Sequence, residues 1–211
     1  MIHAIRTQLL LASPSPAVLT LTSAESGEGR SLVAEALASS FAIDQPTLLI
    51  DMDYVNNGGL STASTPGLAE VLQGSKTLDE VLIKQGAHLT LLPRGKLSGS
   101  TLLMLTSSSF ATLLQTLRQR YARIIIDTPA LSQAQDSQLI ARQTDGVVLI
   151  AQAERSQASE LQAMLETLKR EQIHLVGAVL NKVNDNNLES REGDRLIHQH
   201  VGELITPVKS R

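Results

Sequence analysis

Short, continuously apolar segments recur along the chain, and they constrain its fold more than any other feature of the sequence. Each has the length of a β-strand; they comprise residues 17–22, 47–51, 88–92, 123–127, 146–151 and 174–180. Most are apolar at nearly every position, whereas a half-exposed strand would alternate apolar and polar residues. They therefore predict the strands of a parallel sheet that is covered on both faces.

Amphipathic helical patterns separate these predicted strands. Apolar residues at spacings of three and four follow the serines at 107–109, which can cap a helix, and the same spacing recurs over residues 161–168. Because parallel strands need a crossover between them, the alternation predicts an α/β fold with a doubly wound, mainly parallel sheet and helices on both faces. We expect one domain over residues 1–185, followed over residues 186–211 by a C-terminal tail to which the pattern assigns no structure.

Composition and charge exclude several functional classes. The 211 residues suit a single domain, and 18 Lys and Arg are scattered among 21 Asp and Glu with only 2% aromatic residues, which argues against a nucleic-acid partner. The chain has no cysteine, so a thiol nucleophile, a disulfide and a Cys-ligated metal are excluded. No apolar run approaches the ~20 residues of a membrane span, and we expect a cytoplasmic protein.

A glycine-bearing loop, SAESGEGRS, joins the first predicted strand to a helical pattern that starts at Leu32. Glycines allow backbone angles that side chains forbid, and consecutive amide groups at a helix N-terminus form a nest for an anion. A hydroxyl at the end of such a loop is placed to reach Mg²⁺. The loop therefore predicts a nucleotide phosphate site formed by Gly27, Glu28, Gly29, Arg30 and Ser31.

Arg30 stands where loops of this kind usually carry a lysine. Lysine is a slim point charge, whereas the guanidinium of arginine is planar, wider and directional. One interpretation is that Arg30 binds the phosphates with altered geometry, which would weaken catalysis more than binding. The other is that Arg30 points to solvent or to a carboxylate and that the site is degenerate.

Three aspartates end predicted strands: Asp51, Asp53 and Asp127. In a doubly wound sheet the ligand crevice lies at the carboxyl ends of the strands, so these carboxylates are expected to converge near the loop. A carboxylate there can bind Mg²⁺, and another can accept a proton from an attacking hydroxyl. Asp127 is the stronger candidate for the metal, and Asp53 is better placed for a substrate.

Taken together, these segments resemble the bacterial tyrosine kinase (BY-kinase) family over about residues 3–183. The motifs that carry the resemblance are TSAESGEGRS, LLIDMD, GLAEVLQG, RIIIDTPA, DGVVLIAQAERS and LVGAVLNKV. The resemblance implies a P-loop NTPase fold of the MinD/ParA type that uses ATP or ADP with Mg²⁺. It also implies a cytoplasmic protein, recruited to the inner face of the membrane, that acts in capsule or exopolysaccharide synthesis or export. The implied partner is a membrane polysaccharide co-polymerase or its cytoplasmic segment.

The same resemblance assigns roles to individual residues. Residues 27–31 would bind the phosphates, and Asn181 would lie near the adenine. Mg²⁺ would be held by Ser31, Asp51 and Asp127. Arg30 and the three aspartates would form the catalytic set, with Asp53 or Asp51 deprotonating a tyrosine.

The sequence also departs from the BY-kinase pattern. Arg30 replaces the loop lysine, and Val55 replaces an arginine that usually follows the aspartates of LLIDMD. Tyr54 and Tyr121 are the chain's two tyrosines, so the family's C-terminal tyrosine cluster, which accepts phosphate, is missing. Catalytic activity is therefore left open by the sequence.

Three hypotheses about function remain. The first is a BY-kinase-like ATP/ADP-binding protein of exopolysaccharide or capsule synthesis, able to phosphorylate tyrosine on a partner. The second is a degenerate pseudokinase that regulates polysaccharide assembly by docking alone. The third is a MinD/ParA-like positioning ATPase; Glu25 argues against it, because ParA-type enzymes carry at that place a lysine that reaches across a dimer.

Overall fold

The computed structural model of the protein describes residues 2–55, 59–62, 64–97, 100, 105, 108–131, 136–153, 155–183 and 205–209. The helices are α1 (Ile2–Leu11), α2 (Arg30–Phe41), α3 (Leu68–Leu72), α4 (Leu78–Val81), α5 (Ser108–Arg120), α6 (Asp136–Ala141) and α7 (Ala158–Arg170). The strands are β1 (Val18–Ser23), β2 (Thr47–Asp51), β3 (Ile83–Lys84), β4 (Leu89–Leu92), β5 (Arg123–Asp127), β6 (Gly146–Gln152), β7 (Leu175–Val183) and β8 (Ile205–Lys209).

The strands form one sheet in the order β3-β4-β2-β5-β1-β6-β7-β8. Every neighbouring pair is parallel except β3 and β4, which are antiparallel. The chain order reverses at β1, which lies between β5 and β6, and such a switch point opens a crevice at the carboxyl ends of the strands. The predicted doubly wound, mainly parallel sheet is confirmed.

Both faces of the sheet are covered by helices. Along β1 and β2, Leu19, Leu21 and Leu49 pack with α1 and α2 on one face, whereas Val18 and Leu48 pack on the other with α5. A third cluster lies between α7 and the strands β6 and β7. This double covering explains why the strands are apolar at nearly every position.

Helix α2 is held tightly against the sheet, which fixes the loop that precedes it. Val33, Leu37 and Phe41 are fully or almost fully buried, and Ala34 and Ala38 on the same side let the helix approach the strands closely. A well-packed core tolerates little displacement. The N-terminus of α2 therefore has a defined position at the end of β1.

Two strands lie outside the sequence prediction. Strand β3 has two residues, too few to show periodicity, and strand β8 lies within the predicted tail and pairs with β7. Residues 184–204 lie outside the described residues, so the boundary at residue 185 stays a prediction. None of the helices in the described ranges has the length and apolar character that crossing a membrane requires.

Candidate phosphate-binding site

The loop between β1 and α2 has the backbone of an anion-binding turn. Gly27 and Gly29 have φ angles of 82° and 89°, in the left-handed region that side chains disfavour. Gly29 is also the N-cap residue of α2. Because glycine has no side chain, the N-cap residue cannot bind the first amide groups of that helix in place of an anion. The helix dipole adds to the attraction of these amides for an anion. The predicted strand–loop–helix arrangement is present, and phosphate binding by it stays a prediction.

Two side chains hold this loop from neighbouring strands and turns. Asn181 Nδ2 donates a hydrogen bond to the Glu28 carbonyl at 2.9 Å and lies where a side chain at residue 29 would begin. Arg155 Nη2 donates to the Ser26 carbonyl at 3.1 Å. In this structure Asn181 therefore supports the backbone of the loop, and its predicted contact with adenine stays a prediction.

The Glu28 side chain turns back into the loop. One carboxylate oxygen accepts a hydrogen bond from the Glu25 amide at 3.0 Å, and the other makes a short hydrogen bond with the Ser156 hydroxyl. Burial raises the pKa of Glu28, while these hydrogen bonds lower it. Glu28 thus shapes the loop from within and links it to the segment that precedes α7.

Arg30 is buried and points to the carboxylates. Its side chain is 5% exposed; Nε lies 2.8 Å from Asp127 Oδ1, and Nη2 forms an ion pair with Asp53 Oδ2. The third nitrogen, Nη1, donates to Ser23 Oγ at 3.2 Å. Of the two interpretations left open by the sequence, the structure has the one in which Arg30 points to carboxylates.

Asp51 lies beside Asp127 but is already hydrogen-bonded through both oxygens. The two aspartates are register partners in the parallel pair of β2 and β5, so both side chains lie at the same end of the sheet. Asp51 Oδ1 accepts from the Asp53 amide at 3.0 Å, and Oδ2 accepts from the Ser61 amide at 2.9 Å and hydroxyl at 2.6 Å. Burial raises the pKa of Asp51. The predicted convergence of the three aspartates is observed.

Asp127 supplies the one carboxylate oxygen in the described part of the chain that is buried without a hydrogen-bond partner, its Oδ2. Burial raises the pKa of Asp127 to about 6, although Arg30 and the Ser31 hydroxyl lower it. Mg²⁺ requires a near-octahedral set of oxygen ligands. A Mg²⁺ ion that accompanies a nucleotide needs only one or two protein carboxylates, but here the Arg30 guanidinium already lies between those of Asp53 and Asp127. Mg²⁺ does not fit between these two carboxylates while Arg30 contacts both of them, and the metal role of Ser31, Asp51 and Asp127 stays a prediction.

Sequence reasoning missed Arg94, which is 3% exposed and lies beside the aspartates. Its Nη1 makes a short hydrogen bond with the Asp53 carbonyl, and its amide donates to Ser61 Oγ at 3.1 Å. Arg94 follows β4 closely, as the aspartates follow or end their own strands, and that position was the available signal.

The Tyr54 hydroxyl donates to the Arg94 carbonyl at 2.9 Å, and burial raises the pKa of Tyr54. Tyr54 is therefore part of the packing around the site.

The raised pKa of Asp127 predicts that stability increases as the pH falls from 7 to 5. The folded-state pKa of about 6 lies above the ordinary aspartate value of 3.8, so the folded protein binds this proton more tightly than the unfolded chain does. Over that interval Asp127 is expected to contribute about 1 kcal/mol to the free energy of unfolding. Urea unfolding at both pH values measures the increase, and Asp127→Asn should reduce it by that amount. An undiminished increase in the variant would contradict this assignment.

Comparison with known proteins identifies the family. The family model described as cellulose biosynthesis protein BcsQ matches residues 17–183. The tyrosine-protein kinase CpsD of Streptococcus agalactiae is 30% identical over 190 residues, covering 87% of this chain and 83% of the relative. The putative tyrosine-protein kinase CapB of Staphylococcus aureus is 28% identical over 193 residues, covering 85% of this chain and 82% of the relative. The span matched by the family model contains the loop, the three aspartates and Asn181.

Solved structures agree with this assignment. The kinase domain of VpsO superposes with a TM-score of 0.79 at 31% identity, covering 87% of this chain and 94% of that domain. The MinC:MinD complex of Aquifex aeolicus, at 17% identity and a TM-score of 0.74, shows the fold alone; 92% of this chain and 81% of that chain are covered. The resemblance stated from the sequence is confirmed. The chain therefore belongs to the P-loop family that includes the bacterial tyrosine kinases and BcsQ, and its fold is that of the MinD/ParA-type ATPases.

Proposed function

We propose that this protein binds ATP or ADP and acts in the synthesis or export of a capsule or another exopolysaccharide. The observation that carries the proposal is the glycine loop. Gly27 and Gly29 have positive φ angles, and the loop leads directly into the N-terminus of α2. Family membership supports the pathway, because the matching family model is described as a cellulose biosynthesis protein.

The nucleotide would be held mainly by backbone. The loop amides and the dipole of α2 would bind the phosphates, the Ser31 hydroxyl would contribute a further donor, and Asn181 would keep the loop in its binding conformation. Of the two cofactors that the family implies, we propose the nucleotide for this site, because the guanidinium of Arg30 occupies the space between Asp53 and Asp127.

A second candidate function is regulation by docking alone, without phosphoryl transfer. A general base must have a free lone pair within reach of the proton that it removes. Asp53, the candidate base, is 1% exposed, is ion-paired with Arg30 through Oδ2 and accepts a hydrogen bond from the Val55 amide through Oδ1. Because Asp53 is buried, transfer of phosphate to a tyrosine of another protein would require this part of the site to open.

The partner would be a membrane polysaccharide co-polymerase or its cytoplasmic segment, which would recruit the protein to the inner face of the membrane. A MinD/ParA-like positioning role is the less favoured alternative. Glu25 at the loop would place a negative charge next to phosphates, where those ATPases carry a lysine.

Calorimetric titration with ATP and ADP tests the proposed function. We expect both nucleotides to bind, and adenosine, which lacks phosphates, to bind at least about tenfold more weakly because the loop amides contribute most of the affinity. If the protein acts by docking alone, the bound ATP will be recovered intact by chromatography after incubation, whereas conversion to ADP would favour the kinase hypothesis. Absence of binding by both nucleotides at millimolar concentration would overturn the proposal.

A further inference from the structure

The guanidinium of Arg30 uses all three of its nitrogens within the site. Nε and Nη2, which form one edge of the planar group, contact different carboxylates, those of Asp127 and Asp53. Nη1 donates to the Ser23 hydroxyl on β1. One side chain therefore joins the ends of β1 and β5 to the segment that follows β2.

The charge balance of the site leaves little place for a metal cation. Asp51, Asp53 and Asp127 are buried, and they are accompanied by two buried arginines, Arg30 and Arg94. Formally one negative charge remains at this cluster of three carboxylates and two guanidinium groups. A divalent cation would make the cluster positive and would lie beside a guanidinium, at a depth where like charges repel strongly.

The geometry depends on arginine and not merely on a positive charge. A guanidinium presents its donors in a rigid fork, whereas the ammonium of lysine is a point charge on a flexible chain. Lysine at this position would reach one carboxylate or the phosphates, but it could not bridge Asp53 and Asp127 through two fixed donors. The carboxylate that lysine does not contact would then be available to bind a metal ion.

We infer, taking the proposed nucleotide binding as given, that Arg30 is the resident cation of this site and replaces Mg²⁺ there. The ligand is then a nucleoside diphosphate or triphosphate without its metal ion. Loop amides bind its phosphates, and the Arg30 guanidinium neutralises the aspartates that would otherwise repel them. Nucleotide affinity consequently does not depend on Mg²⁺.

The test compares nucleotide affinity with excess Mg²⁺ and with EDTA. Calorimetric titration of the wild-type protein with ADP should give dissociation constants that agree within about threefold. Arg30→Lys, which keeps the charge but not the fork, should bind ADP at least about tenfold more weakly in EDTA than with Mg²⁺. Arg120→Lys is the matched control, because it makes the same exchange at an exposed arginine that ends α5 and pairs with Asp79. It should behave as the wild type does.

A second measurement needs no nucleotide. Titration with Mn²⁺ alone, followed by electron paramagnetic resonance, should show at least about tenfold tighter binding by Arg30→Lys than by the wild type, because one carboxylate is released. Equal Mn²⁺ affinities, or a tenfold loss of wild-type ADP affinity in EDTA, would overturn the inference. Failure of ADP to bind under either condition would instead overturn the nucleotide function, and the Mn²⁺ comparison would still decide the role of Arg30.

Discussion

Replacing Arg30 by methionine is expected to lower the free energy of unfolding by about 3–5 kcal/mol, because it leaves two buried carboxylates without their cation. Methionine keeps the unbranched part of the side chain out to the position of Nε, so the main change is the loss of the charged guanidinium. Asp53 and Asp127 are 1% and 0% exposed, and Arg30 contacts both of them. The free energy of unfolding can be measured by urea denaturation monitored by circular dichroism.

Arg120→Met is the matched control for this experiment. Arg120 pairs with Asp79 at 2.6 Å, but both side chains are largely exposed to solvent, so the expected loss is at most about 1 kcal/mol. Adding Asp53→Asn and Asp127→Asn to Arg30→Met should recover part of the stability, because the stranded charges are then removed. Similar losses for Arg30→Met and Arg120→Met would contradict the structural role assigned to the buried pair.

Replacing Gly29 by alanine is expected to abolish nucleotide binding at millimolar concentration and to lower the free energy of unfolding by about 2–3 kcal/mol. Alanine at a φ of 89° costs about 1–2 kcal/mol, and its Cβ would overlap Asn181 Nδ2. Asn181 would then lose its hydrogen bond to the Glu28 carbonyl, which contributes about 1 kcal/mol. Calorimetry with ADP and urea denaturation measure the two effects.

Gly74→Ala separates backbone strain from the overlap. Gly74 has a φ of 73°, and a Cβ there meets no atom of the described residues within 4 Å. Gly74→Ala should lower the free energy of unfolding only by the strain of the positive φ, and it should leave ADP affinity unchanged. The double variant Gly29→Ala with Asn181→Ala removes the overlapping atoms and should bind ADP more tightly than Gly29→Ala alone. Equal effects of Gly29→Ala and Gly74→Ala would show that the contact with Asn181 has no role.

Most of the fold could be predicted from the sequence, because the signals are local. An apolar run of strand length reports burial on both faces, and a helical spacing between two such runs reports the crossover. The short edge strand β3 was missed because two residues carry no period. Strand β8 was missed because it follows a long polar segment and becomes a strand by pairing with β7.

Within the site, sequence reasoning placed residues but could not assign their contacts. It placed the glycine loop at the end of β1 and brought Asp51, Asp53 and Asp127 to one end of the sheet, since the carboxyl ends of parallel strands lie together. It could not find Arg94, whose role depends on the turn after β4 passing close to Asp53. It expected Asn181 to lie near the adenine, which stays a prediction, and it could not foresee the hydrogen bond from Asn181 to the Glu28 carbonyl.

The sequence by itself determined the parallel sheet, the glycine turn before α2 and the meeting of the three aspartates, because each follows from the residue types within one short segment and from the direction of the strands. Only the tertiary structure decided what Arg30 contacts. Its partners are 23 and 97 residues away along the chain, and an arginine side chain reaches phosphate, solvent or carboxylate equally well until the surrounding strands are packed. Burial then removes the solvent, and the two carboxylates beside the guanidinium determine where it points.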